Sequence, residues 1–296
     1  MAELLVAGSL HLDVVVDAPV LPRLDQTVTG QGVAYRFGGK GGNQAVAAAR
    51  MGVRVAMAGA TGTDSFAAPL LAGLDAAGVD RAQVRAVPGA SGMSVAVVLP
   101  DGGYGAVIVS GANLALDAET IVFPEGCRAL LMQNEVPARV NLALARRARA
   151  AGLRTVLNAA PARGPDAALF GLLDLLVVNR GEAADILGLP ETGLDAAAAA
   201  RALRAMGPRA VIVTLGADGV AGDDGAPFAQ PAQRVGVASS HGAGDAFLGA
   251  LCAEWLRGAA LRDAARFGQV AAALTVATPP DTRGSITPAA VRAALR

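Results

Sequence analysis

Two glycine-rich stretches carry the side chains best suited to bond-making in this chain. The first reads Gly38-Gly39-Lys40-Gly41-Gly42-Asn43-Gln44 and opens the helical segment Ala45–Met51. Lys40 is the only lysine among 25 basic residues; every other cation is arginine. A compact ammonium kept where backbone comes close fits contact with an oxygen-rich ligand, a task for which the larger planar guanidinium is no simple substitute. Glycines ahead of a helix let backbone amides converge on such a ligand. Taken alone, the run reads equally well as a tight turn with an incidental lysine. The second stretch, Gly242-Ala243-Gly244-Asp245, is a glycine-bracketed turn leading straight into a helix with an aspartate in its first turn. The amides from Gly242 to Asp245 would point out of the helix N-terminus and cradle developing negative charge, and the same electropositive end would keep Asp245 ionised. A base and an anion hole in one turn are what phosphoryl transfer to an alcohol requires. An isolated Gly-x-Gly-Asp also reads as a plain aspartate N-cap.

Much of the frame that must position these stretches alternates β-branched runs with Ala/Leu/Arg-rich helices. Strands are predicted at Leu4–Ala7, Val53–Ala58, Ala129–Met132, Thr155–Asn158, Leu173–Val178 and Ala210–Thr214. Helices are predicted at Ser65–Ala77, Ala138–Ala151, Gly181–Leu187, Ala196–Met206, Asp245–Arg257 and Leu261–Thr275. Such alternation with short connections indicates βαβ units and a parallel sheet covered on both faces. Two regions break the rhythm. Asp13–Phe37 and Ser91–Gly111 carry strand-like patterns without helices, which suits a small antiparallel sheet projecting from the main domain or edge strands of the main sheet. Asp101-Gly102-Gly103 is a hairpin signal between two of those runs. The expected organisation is a main α/β domain from 1–12, 38–90 and 112–296, with a β-sheet lid from 13–37 and 91–111.

Composition narrows the function classes. A chain of 296 residues with 53% hydrophobic content can bury a large core. Net charge is zero and no block of like charge occurs, so there is no electrostatic footprint for nucleic acid or an anionic membrane. Aromatic residues at 3% also argue against base-stacking platforms. Cys127 and Cys252 stand far apart and form no metal-spaced set; two lone cysteines fit core positions in a reducing compartment. Glu3 and Asp13 around the first apolar run argue against a secretory signal, and no apolar run is long enough to span a bilayer. The expectation is a soluble cytoplasmic protein.

Together the two glycine stretches resemble the signatures of the ribokinase-like family of sugar and nucleoside kinases. Lys40–Ala48 and Gly242–Asp245 are similar to that family's two motifs. In the family's order follow Gly8-Ser9-Leu10-His11-Leu12-Asp13, Gly111-Ala112-Asn113, Leu131–Pro137, Leu157–Ala162, Asn179-Arg180-Gly181-Glu182 and Thr214–Gly219. The resemblance implies a three-layer sandwich, its central and mostly parallel sheet flanked by helices, plus a small β-sheet lid that covers the sugar and often pairs with another subunit's lid. It further implies an ATP-dependent kinase acting on the primary hydroxyl of a small sugar, with D-ribose first in line and Mg²⁺ as the phosphate counter-ion. On this reading Asp245 is the base and Gly242, Ala243 and Gly244 complete the anion hole. Asp13, Gly39, Lys40, Gly41, Gly42, Asn43 and Glu135 bind the sugar and its phosphate path. Asn179, Glu182, Thr214, Gly216, Gly219 and Gln269 serve the nucleotide, Glu182 also organising the Mg²⁺ hydration shell. A homodimer through the lid is expected, and no nucleic-acid or membrane partner.

Departures from the family pattern are informative. Ser239-Ser240-His241 stands where the family usually has Asp-Thr-Thr, and Pro279–Ser285 is altered on the other side of the same monovalent-cation site. Loss of a carboxylate there puts K⁺ activation in doubt, and His241 reads equally as a positive charge in place of the ion or as a turn histidine with no special role. His11 replaces an asparagine often seen in the first sugar segment, which loosens the identity of the pentose. Another sugar or a nucleoside is the next reading, although the lid holds few aromatics beyond Tyr35, Phe37 and Tyr104. A sugar sensor that kept the fold without the chemistry is an alternative of a different class. A nicotinamide dehydrogenase would want Gly-x-Gly-x-x-Gly after the first strand, where this chain has only Gly8. Ser240, His241 and Asp245 crowd one turn without a nucleophile elbow, so no hydrolase triad is indicated.

Overall fold

The computed structural model describes residues 1–100 and 103–295. The chain begins with β1 (Leu4–Ala7), β2 (His11–Asp17), β3 (Gly32–Gly38), α1 (Lys40–Arg50), β4 (Val55–Thr61), α2 (Ala67–Ala76) and β5 (Asp80–Ala86). It continues through β6 (Gly92–Val98), β7 (Tyr104–Val109), β8 (Ala129–Gln133), α3 (Ala138–Ala150), β9 (Arg154–Asn158), α4 (Ala167–Phe170) and β10 (Leu175–Asn179). Then follow α5 (Arg180–Leu187), α6 (Ala196–Ala205), β11 (Ala210–Thr214), β12 (Val220–Asp223), β13 (Pro227–Gln230), α7 (Ala243–Leu256), α8 (Leu261–Ala277) and α9 (Pro288–Ala294).

The large sheet has the order β13-β12-β11-β10-β9-β8-β1-β4-β5. Its pairs from β11 to β5 are parallel, and β12 and β13 close one edge antiparallel. The continuous apolar runs are buried on both faces, so successive residues feed two separate cores. Leu4 and Val6 of β1 pack with Val46 of α1, Leu248 of α7 and Phe267 of α8. Leu5 and Ala7 join Leu144 of α3, Ile186 of α5 and Leu203 of α6. These are the three layers expected. Cys252 lies in the first core, and its thiol is pushed up to about 12 by desolvation.

The second sheet, β3-β2-β6-β7, is the lid. It was expected to be antiparallel, yet it is mixed: two antiparallel hairpins are joined by a parallel β2–β6 pair. The β6–β7 hairpin agrees with the Asp101-Gly102-Gly103 signal, of which Asp101 and Gly102 lie outside the described residues. Within the strand-like stretch Asp13–Phe37, β3 begins only at Gly32. The residues before it form an exposed loop with Pro19, Pro22 and a positive φ of 60° at Asp25, closed by Gln31 N–H donating to Asp17 O (2.8 Å).

Topology places the cleft. From β1 the chain moves to β4 on one side and later to β8 on the other, with α1 and α3 covering opposite faces. The loops leaving the carboxyl ends of β1 and β8 therefore part, and that divergence is where open α/β sheets bind ligands. Gly8–Leu10 and Asn134–Val136 are those loops.

Candidate active site

The glycine run straddles the start of α1: Gly38 ends β3, Gly39 is the N-cap, and Gly41 and Gly42 lie in the first turn, which starts at Lys40. Its glycines serve close packing. A Cβ on Gly41 would sit 2.6 Å from Ser9 N, and Gly39 adopts a φ of 84° with its Cβ position 2.7 Å from His11 N. The amides expected to reach a ligand are instead satisfied within the protein. Lys40 N–H donates to Glu135 Oε2 (2.8 Å), Gly41 N–H to Ser9 Oγ (3.3 Å) and Gly42 N–H to Ser9 O (2.9 Å). Ser9 Oγ donates to the same Glu135 oxygen at 2.5 Å. Glu135, read as a sugar contact, thus also ties the β1 and β8 loops to α1.

Helix α7 begins differently. Gly242 at its N-cap has a φ of 76°, a left-handed conformation natural to glycine. Ala243 N–H turns back to Ser240 O (3.3 Å), so Ala243 is the weakest member of the predicted anion hole. The amides of Gly242, Gly244 and Asp245 make no hydrogen bond among the described residues. Both oxygens of Asp245 are held by α1: Asn43 Nδ2 donates to Oδ2 (3.1 Å) and Gln44 Nε2 to Oδ1 (2.9 Å). Gln44 also donates to Asn158 Oδ1 at the end of β9 (3.0 Å). The helix end was expected to keep Asp245 ionised, but desolvation pushes its carboxyl above the ordinary aspartate range. The Lys40 charge and the Gln44 and Asn43 amides oppose that rise, while Glu135 adds to it. The result is a more basic carboxylate than a surface aspartate.

Across the cleft, Asp13 lies on the inner face of the lid with Arg36 and Ser94 opposite it on the neighbouring strands. Ser94 Oγ donates to Asp13 Oδ1 (2.5 Å), and His241 Nε2 lies 3.7 Å from Asp13 Oδ2. His11 is buried, with Nδ1 at 3.9 Å from Glu135. Burial lowers its pKa; the carboxylates of Glu135 and Asp13 pull upward and Lys40 downward. A cavity of about 390 Å³ runs from Asn43 and Asp245 beneath β3, bordered by Arg36, Arg50 and Arg283.

The remaining predicted residues gather at the far end of the sheet. Asn179 and Glu182 form a reciprocal capping box on α5: Asn179 Oδ1 accepts from Glu182 N–H, and Glu182 Oε2 from Asn179 N–H, both at 2.8 Å. Desolvation raises the Glu182 pKa; the Asn179 bond and Lys40 oppose it, while Asp185 and Asp245 reinforce it. Thr214 ends β11, its hydroxyl donating to Val178 O (3.3 Å). Gly216 and Gly219 bracket the following turn with φ of 58° and 103°. Gln269 is buried, and its amide donates to Gln230 O (3.1 Å) and Pro231 O (3.4 Å), beside Gly219. Its Oε1 is buried without a hydrogen-bond partner among the described residues.

Sequence reasoning gave no role to Gln44, Asn158, Ser9, Ser94 or Arg283. Gln44 and Asn158 stood inside quoted motifs, as amides in otherwise small or apolar surroundings. Arg283 carried no signal beyond its place in the altered Pro279–Ser285 segment.

A proton acceptor beside open amides at a helix end, facing a lid with a second carboxylate, defines an α/β phosphotransferase of the kind that acts on small alcohols. Within that class, the chain belongs to the pfkB family of carbohydrate kinases, whose profile matches residues 1–287. It is 34% identical over 283 residues to the ribokinase of Haemophilus influenzae, a match covering 92% of each chain. It is 31% identical over 257 residues to the deoxyribokinase of Salmonella typhi, covering 83% of each. The solved structure of Arabidopsis thaliana ribokinase complexed with ribose and ATP superposes with a TM-score of 0.88 at 27% identity, covering 100% of this chain and 99% of that one.

Proposed function

We propose that this protein transfers the γ-phosphoryl group of ATP to the primary hydroxyl of D-ribose, giving D-ribose 5-phosphate. The observation that carries the reading is Asp245, gripped at both oxygens by α1 and set in the first turn of a helix whose leading amides are open. Asp245 takes the proton of the sugar hydroxyl as the hydroxyl attacks the γ-phosphorus, the bond from that phosphorus to the β-phosphate oxygen breaks, and ADP leaves. The Gly242, Gly244 and Asp245 amides meet the charge on the phosphoryl oxygens, and the Lys40 ammonium adds a positive charge near them. Asp13 captures sugar hydroxyls, and its bond from Ser94 fixes the carboxylate's orientation.

Among the described residues no cluster of three or more acidic, histidine or cysteine side chains could hold a metal ion. That fits Mg²⁺ arriving with the nucleotide and keeping most of its water, with Glu182 orienting that water. When bound, the ion neutralises charge on the β- and γ-phosphates. The nucleotide would run from Asn179 toward Thr214, Gly216 and Gly219. Gln269 would act there by holding the Gln230–Pro231 segment.

On the face of the lid opposite Asp13, Val33, Val107 and Val109 are exposed, which supports a homodimer closed lid to lid; sedimentation would show a dimer. Two unpaired cysteines support a cytoplasmic location. The test of function is ATP turnover by the purified protein with Mg²⁺ over ribose, deoxyribose, hexoses and nucleosides. Ribose-led turnover is expected. A deoxyribose or nucleoside preference would replace the substrate, and sugar binding without turnover would favour a sensor.

A further inference from the structure

Two backbone carbonyls ahead of the catalytic turn and one at the end of α8 converge on one side chain. Arg283 donates Nη2–H to Ser239 O (2.9 Å), Nη1–H to His241 O (2.8 Å) and Nε–H to Thr278 O (3.1 Å). Carbonyl dipoles aimed at a common point repel one another unless positive charge sits between them. The planar guanidinium supplies that charge with donors in a fixed fork. Its position bears on the chemistry, because His241 C=O and Gly242 N–H belong to one planar peptide. In a trans peptide the two groups point in opposite directions. Pinning the carbonyl to Arg283 therefore aims the first amide of the anion hole away from Arg283.

A monovalent metal ion does not fit here. The carbonyls that would hold it are engaged by Arg283, and Ser239-Ser240-His241 brings no carboxylate. His241, one candidate for replacing the ion's charge, is an exposed ring whose Nε2 faces Asp13. Arg36 and Arg50 border the same cavity, with only Asp281 and Asp245 as acidic groups along its wall. Any ion added beside Arg283 would meet further guanidinium charge.

We propose that Arg283 is a built-in cation that positions the anion-hole turn, so that the enzyme turns over without a bound monovalent metal ion. The proposal rests on the phosphotransfer reading above. Its test compares wild type, Arg283→Ala and Arg283→Gln in potassium, sodium and tetramethylammonium buffers, by turnover and by thermal melting. Wild type should show the same rate and melting temperature in all three. Arg283→Ala should lose about 10²-fold in kcat while calorimetry still shows ribose binding. Added methylguanidinium should recover much of that rate and urea none, which separates positioning by charge from mere folding. Arg283→Gln keeps a polar side chain without the charge; it should be as slow, and stands in if the alanine variant does not fold. Potassium-dependent turnover of wild type, or full turnover in both variants, would overturn the proposal. Melting decides the question without turnover: a K⁺-specific rise in the wild-type melting temperature refutes the built-in cation even if no sugar is phosphorylated. A potassium- or methylguanidinium-specific rise confined to the variants supports it. Absence of turnover on every substrate would count against the kinase reading and leave the melting result to decide on Arg283.

Discussion

The N-termini of α1 and α7 look alike in sequence and do opposite work. Both have a glycine at the N-cap with positive φ, Gly39 and Gly242. At α1 the leading amides are closed off: Glu135 and Ser9 take the N–H groups of Lys40, Gly41 and Gly42. At α7 the amides of Gly242, Gly244 and Asp245 stay open, and the loop carbonyls behind them are held by Arg283. A glycine-rich helix start is thus an opportunity for anion binding, and what decides its use is whether the protein supplies its own acceptor. At α1 the acceptor is a carboxylate from the neighbouring strand end. The glycines there allow close approach of two protein segments, and the side chains of Lys40, Asn43 and Gln44 face the chemistry.

The largest effect expected of this contrast is at the open end. Asp245→Asn should lower kcat by roughly 10²–10⁴ with ribose affinity nearly unchanged by calorimetry; wild-type turnover would remove Asp245 as the base. The same variant should gain stability near neutral pH. Burial raises the carboxyl's folded pKa, so the folded state holds the proton more tightly than the unfolded chain. The associated stability is present below the unfolded pKa and is lost as pH rises through the folded one. Thermal melts of the two proteins should therefore converge on acidification. Next in size is the closed end. Glu135→Ala leaves Lys40 N–H and the Ser9 hydroxyl without their acceptor and should cost about 1–3 kcal/mol. Urea unfolding should show a lower midpoint at unchanged slope. An unchanged midpoint would mean that the first turn of α1 does not depend on closure.

The contrast also marks what sequence could reveal. Doubly buried strands such as Ala210–Thr214 declare themselves because every residue is apolar or β-branched. β5 (Asp-Arg-Ala-Gln-Val-Arg-Ala) escaped notice because an edge strand with an exposed face has no such run. The parallel β2–β6 pair in the lid escaped too, since local alternation specifies a strand and says nothing of its partner's direction. Asp245 was legible because its spacing from the glycines fixes it in a first helical turn. Its raised pKa was not, because that depends on the surroundings folded over it. Arg283 lies 44 positions from Ser239, and its guanidinium reaches that carbonyl only through the return of α8. One arginine among many carries no mark of such a role.

The smallest effect is the most discriminating. Gln44 is not proposed to touch substrate; it donates to Asp245 Oδ1 and to Asn158, so it is a positioning residue between α1 and the base. Its bond stabilises the charged form of Asp245 and lowers a pKa that burial has raised. Gln44→Ala should raise that pKa further, moving the acid limb of the kcat/KM profile to higher pH. Activity needs the deprotonated base, so the loss should be greatest on the acid side and shrink as pH rises past the limb. Were Gln44 only a packing residue, kcat/KM would fall equally at every pH. A uniform fall would therefore leave Asn43 and Lys40 as the groups of α1 that tune the base, and a shifted limb would add Gln44 to them.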